Sequence, residues 1–122
     1  MHKILIVDDE EDILDTLEGL IEHKLSACDI TKATNGLDGF IQCQKTKFDL
    51  IISDHKMPFM TGAAFIIALR TRETQNPDTP VIVLSAHIDE ELRKKLTVQN
   101  VRFVEKPFTP NDFLDIIRTY LV

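Results

Sequence analysis

The sequence predicts an α/β protein: a five-stranded parallel sheet of order 2-1-3-4-5, doubly wound by five helices. Three observations carry that prediction. Short apolar runs alternate with longer stretches of helical period, some strand-like runs are wholly apolar while others carry a charge, and polar or small residues stand where helices should begin.

Taken in order, strands are expected at Ile4–Val7, Ile30–Thr34, Leu50–Ile52, Val81–Leu84 and Val101–Glu105. Between and after them, Ile13, Leu14, Leu17, Leu20 and Ile21 form an apolar stripe at three-and-four spacing, and Phe113, Ile116, Ile117 and Tyr120 form another. Leu37, Phe40 and Ile41 suggest a short second helix, Ala63–Arg72 a third, and Asp89–Leu96 a fourth whose early acids and late bases suit the helix dipole. Asn35 with Gly36, Gly62, and Thr109 with Pro110 mark helix starts, Thr109 as N-cap and Pro110 as first helical residue. The sheet order follows from composition. Strands buried on both faces read as continuous apolar runs, whereas Lys32 and Arg102 lie inside the second and fifth strands, which suits the two edges. In such a sheet the ligand crevice opens at the carboxyl ends of the first and third strands.

The 122 residues fit one domain, expected to span 1–122 with no output domain in the chain. Apolar residues at 43% and charged residues at 28% describe an ordinary soluble chain with no low-complexity tract. The longest apolar runs, such as Ala63–Leu69, fall far short of the roughly 20 residues that cross a bilayer, so no membrane partner is expected. Met1, His2 and Lys3 run at once into a strand, which leaves no room for a signal peptide and points to the cytoplasm. Cys28 and Cys43 match no CxxC or zinc spacing and are expected to be small, reduced, partly buried side chains. A net charge of −6 argues against a direct nucleic-acid surface and for protein partners. The run Asp8, Asp9, Glu10, Glu11, Asp12 makes cation binding plausible.

The expected strand ends bring Asp8, Asp9, Asp54, Ser85 and Lys106 to one rim. Each has an ordinary structural role open to it: Asp9 could cap the first helix, Asp54 could make a turn, Ser85 could be a small strand-end residue and Lys106 a solvated charge. Their conjunction points elsewhere. Carboxylates forced together repel unless a cation neutralises them, and a hard, oxygen-seeking Mg²⁺ (or Mn²⁺) is the natural occupant, with Lys106 balancing an incoming anion. A flavin phosphate would be repelled by the acids after the first strand.

Asp8 and Asp9, Asp54 followed by Met57, Pro58 and Gly62, Ser85 with Ala86, and Lys106-Pro107-Phe108 together resemble the response-regulator receiver family, over essentially the whole chain. The resemblance implies the flavodoxin-like receiver fold. It also implies a phosphoacceptor of two-component signalling, not a classical enzyme, which supports its own phosphotransfer and autodephosphorylation. By the same resemblance Asp54 would be the phosphoacceptor; Asp9, Asp54 and the Lys56 carbonyl would be Mg²⁺ ligands, with Asp8 acting through water. Ser85 and Lys106 would grip the phosphoryl oxygens, Ser85 and Phe103 would form the conformational switch, and the Lys106–Pro107 bond would be cis. The implied partners are a sensor histidine kinase or histidine phosphotransfer protein and a downstream protein target, with the chain monomeric or dimerising on phosphorylation.

The sequence departs from the common pattern at His55 and Lys56, where an aliphatic and then a small or polar residue are usual. Lys56 and His87 are expected to shield phospho-Asp54 from water and lengthen its lifetime, and Phe59 is expected to be exposed beside the site, either as a docking anchor for a partner or as local packing of its loop. His2 and His23 are expected to be solvated. A transition-metal centre built on His55 and His87 lacks a third nitrogen or sulfur ligand. A haloacid-dehalogenase-like hydrolase would need an Asp two residues after its nucleophile, where this chain has Glu10 or Lys56. A degenerate, binding-only receiver would lack one of the acids, the hydroxyl or the lysine, and none is missing.

Overall fold

The computed structural model describes residues 1–71, 74–87, 89–97 and 99–121. Strands and helices alternate in the order β1 (His2–Val7), α1 (Glu11–Lys24), β2 (Cys28–Ala33), α2 (Gly36–Lys45), β3 (Leu50–Asp54), α3 (Gly62–Leu69), β4 (Val81–Ser85), α4 (Glu90–Thr97), β5 (Val101–Glu105) and α5 (Pro110–Tyr120). The sheet order is β2-β1-β3-β4-β5 and the pairing is parallel throughout. The charge-bearing strands therefore form its edges, as expected. Lys32 on β2 meets Asp15 and Glu18 of α1 at 3.1 and 2.9 Å, which makes use of an edge charge instead of burying it.

Alternate strand residues feed two cores. Leu5, Val7, Ile51, Val81 and Val83 face Cys43, Phe65, Ile66, Leu69 and Leu96 from α2, α3 and α4. Ile4, Ile6, Leu50, Ile52, Ile82 and Leu84 face Leu14, Leu17, Ile21, Phe113 and Ile117 from α1 and α5. The period-two alternation of a strand thus serves both layers at once. No helix among the described residues is long and apolar enough to cross a membrane. Cys43 is buried and Cys28 half-buried, both as free thiols.

The helix starts follow the punctuation. The side chains of Asn35, Thr61 and Thr109 accept from the N–H groups of Asp38, Ala64 and Asp112, and Pro110 opens α5. α3 is shorter than the Ala63–Arg72 stretch expected for it. Thr74 Oγ1 donates to Leu69 O at 2.6 Å and Thr71 Oγ1 to Ala68 O at 2.9 Å, satisfying carbonyls that a longer helix would use internally; Arg72 lies outside the described residues. His23 is exposed, but His2 is half-buried because β1 begins at that residue.

Candidate functional site

β1 and β3 are neighbours in the middle of the sheet, so their carboxyl ends deliver Asp8 and Asp54 side by side. Asp8, Asp9 and Asp54 offer carboxylate oxygens that all lie within 4.8 Å of one another. Asp8 is 2% exposed. Its Oδ1 accepts the Glu10 N–H at 2.9 Å, so the first helix is entered through Asp8 and Glu10, and the capping role open to Asp9 is not realised. Burial, followed by the charges of Asp54 and Asp9, pushes the Asp8 carboxyl up from 3.8 to about 6, against the Glu10 N–H and Lys106, which pull it down.

Lys106 follows β5 and sends Nζ to Asp54 Oδ1 at 3.0 Å, while its backbone N–H donates to Ser85 O at 2.8 Å. The Lys106–Pro107 peptide is cis, as expected. Ser85 ends β4 and its hydroxyl is engaged locally. Oγ donates to His87 O at 2.6 Å and accepts the His87 N–H at 3.2 Å. A cleft of about 230 Å³ opens over these groups, lined by Asp9, Glu10, Asp54, Lys56, Ser85, Ala86 and Lys106. Within that lining Lys56 is exposed. His87 is exposed and stands outside that lining, as does His55, whose Nδ1 is buried without a hydrogen-bond partner. Among the described residues the clustered ligands are oxygen donors only, which leaves the imidazoles out of any metal centre.

The strand ends thus bring together Asp8, Asp9, Asp54, Ser85 and Lys106, the set expected from sequence. Phe103 is half-buried and packs against the core beneath α2–α4. Phe59 is 99% exposed, at a left-handed φ of 69° in the loop after β3. Two residues named in the sequence reading have roles at the site that it did not assign. Glu10 also lines the cleft, although its only signal was membership of the acidic run. Gly62 sits so close that a Cβ there would stand 2.7 Å from Asp54 O, and its N–H donates to His55 O at 2.9 Å. That bond pins the β3–α3 loop against the strand end.

A family profile for the response regulator receiver domain matches residues 4–118. The chain is 30% identical over 122 residues to transcription factor SKN7 of Candida albicans, covering 99% of this chain and 21% of that protein. It is 28% identical over 117 residues to a response regulator receiver protein of Anaeromyxobacter, covering 95% and 47%. The chain therefore spans less than half the length of these curated relatives. Chemotaxis response regulator CheY4 of Vibrio cholerae superposes with a TM-score of 0.85 at 29% identity over 98% of each chain. The receiver domain of sensor histidine kinase PA1611 from Pseudomonas aeruginosa, solved with a magnesium ion coordinated in its active site cleft, shares the fold with a TM-score of 0.82 at 20% identity, over 98% of this chain and 97% of that one.

Proposed function

The chain belongs to the response regulator receiver domain family, and from that membership we propose that it is a signalling switch whose Asp54 takes a phosphoryl group from a phosphohistidine. Receiver domains work with histidine kinases and phosphotransfer proteins, and such a protein is the donor in this reading; the target is a downstream protein. We read residues 1–122 as a single receiver domain of the cytoplasm. The observation that carries the proposal is the meeting of Asp54 with Asp8 and Asp9 within 4.8 Å and with Lys106 at 3.0 Å.

The chemistry needs little from the protein beyond position and charge. An Asp54 carboxylate oxygen attacks phosphorus in line, the P–N bond to the donor imidazole breaks, and that nitrogen regains a proton. Lys106 Nζ, already beside Asp54, takes up negative charge on the transferred group.

The residues fit a hard divalent cation. The donors are all oxygens, three carboxylates meet within 4.8 Å, and burial first and the neighbouring carboxylates second hold the Asp8 carboxyl up at about 6. Asp9, Asp54 and the Lys56 carbonyl would hold Mg²⁺ or Mn²⁺, with Asp8 acting through water. Bound there, the ion supplies positive charge to the equatorial oxygens. The magnesium in the Pseudomonas aeruginosa neighbour supports this choice.

Ser85 and Phe103 form the switch in this reading. The Ser85 hydroxyl leaves His87 for a phosphoryl oxygen, and Phe103 turns into the space released. The switch resets by autodephosphorylation. Lys56, at the cleft, shields the phosphoryl group from water; His87, outside the cleft lining, contributes through the loop that holds Ser85.

Intact-mass spectrometry after incubation with a small phosphodonor tests the assignment. One phosphoryl group should be gained with Mg²⁺ present, little without it, and none in Asp54→Asn, whose amide is neither nucleophilic nor anionic. A phosphoadduct on Asp54→Asn would place the acceptor elsewhere.

A further inference from the structure

Among the described residues the exposed large apolar side chains are Met1, Leu37, Ile41, Phe59 and Ile67. Apart from the first residue of the chain, all of them stand on α2, on α3 or in the loop that leads into α3. Single exposed apolar residues are ordinary, but a patch of them marks an interaction surface. α3 reads GAAFIIAL, with no polar side chain, and a helix apolar all round is normally covered all round. Phe65, Ile66 and Leu69 are covered by the core, whereas Ile67 is 58% exposed. α2 packs beside α3 and presents Leu37 at 57% and Ile41 at 38% exposure, one turn apart on one side. Phe59 belongs to the loop between β3 and α3 and is not part of the α2 stripe.

Charge selects the occupant. In a chain of net charge −6, the charged residues of α2 are Asp38 near its start and Lys45 at its end, seven residues or about two turns apart. Neither side chain takes part in an ion pair among the described residues. Along α2 these residues run Leu37, Asp38, Ile41, Lys45, so Ile41 lies between an acid and a base, and the segment from Asp38 to Lys45 is complementary to its own reverse. If two copies lie antiparallel about a two-fold axis beside Ile41, Asp38 of each copy faces Lys45 of the other. α1, with Glu11 and Asp12 in its first turn, packs on the opposite face of the sheet, so the pairing does not press the acidic surfaces together. We propose that this face is an isologous interface for a second copy of the chain, formed by antiparallel α2 helices that meet at Ile41.

Sedimentation velocity over a concentration series reaching the millimolar range tests the pairing. A reversible dimer is expected, and Ile41→Glu should weaken it more than about tenfold by burying a charge, with the thermal midpoint unchanged. Asp38→Lys and Lys45→Glu should each weaken the dimer, and the two together should restore it. The Asn35 side chain bonds the backbone N–H of residue 38, so the helix start survives the substitution, which circular dichroism can verify. A chain that stays monomeric throughout overturns the proposal and leaves the face to a different protein. A dimer indifferent to Ile41→Glu assigns association to another surface, and failure of the double variant to restore it rules out antiparallel α2 pairing.

Discussion

At the amino ends of the strands, Asn76 is fully buried and uses every side-chain polar atom. Its Oδ1 accepts from Phe48 N and Thr79 Oγ1, and its Nδ2 donates to Cys43 O and Thr46 O, all between 2.8 and 2.9 Å. Arg70 joins the same end, donating to Gln99 O and Thr79 O at 2.7 Å each. At the carboxyl ends, the equally buried Asp8 faces two more carboxylates, with Lys106 the cation that pulls its carboxyl down. One end of the sheet pairs its buried polar atoms and secures the fold. The other leaves charge in excess, which costs stability until a ligand arrives.

The comparison breaks first at Asn76. Asn76→Ala strands the Phe48 N–H and the Thr46 carbonyl and leaves Cys43 O with the Gln75 N–H alone, and should cost about 4 kcal/mol in urea unfolding. A loss below about 1 kcal/mol would mean that water replaces the amide without penalty.

Asp8→Asn should act in the opposite direction. Because the folded carboxyl is raised above its unfolded value, its contribution to stability is full below pH 3.8 and is lost as pH rises through about 6. Without metal, the wild type should lose about 2 kcal/mol from this group between those values, and Asp8→Asn should recover it at neutral pH. Melting curves across that window check the sign. Mg²⁺ should raise the wild-type midpoint and raise the Asn variant less.

Arg70→Lys sharpens the contrast by keeping the charge while losing the fork that reaches the carbonyls of Asn76, Thr79, Gln99 and Asn100. It should cost about 1 to 2 kcal/mol in the same unfolding assay, with phosphorylation yield unchanged. The smallest effect is expected at Lys56. Lys56→Asn supplies an acceptor that can orient water and should speed decay of the phosphoprotein a few-fold, about 1 kcal/mol in barrier. Unchanged or slower decay would show that Lys56 does not guard the site.

The two ends also differed in how far they could be read from sequence. Strand order followed from Lys32 and Arg102, and the carboxyl-end cluster followed from where apolar runs stop, because each of its residues sits next to its own strand in the chain. The amino-end network was hidden. Asn76, Pro77 and Asp78 read as any polar turn, and the carbonyls that Asn76 satisfies come from about 30 positions earlier, brought near only by folding. The end of α3 was legible in part, since the apolar run stops at Leu69 where the helix ends, whereas the hydroxyl bonds from Thr71 and Thr74 that satisfy its last carbonyls were not. The close approach of Gly62 to Asp54 belongs to that class as well.

The loop that Ser85 closes with His87 bears on background signalling. If that hydroxyl must turn to a phosphoryl group for the active form, the resting protein holds it by two bonds that have to break first. At about 1 kcal/mol each, offset in part by solvent, they would hold down spontaneous activation roughly tenfold or more. The leak of the pathway in the absence of stimulus would then be set here, by a short turn beside the acceptor, independently of how tightly any kinase binds. Tuning that turn would change the quiet level of the circuit while leaving its phosphorylated output intact.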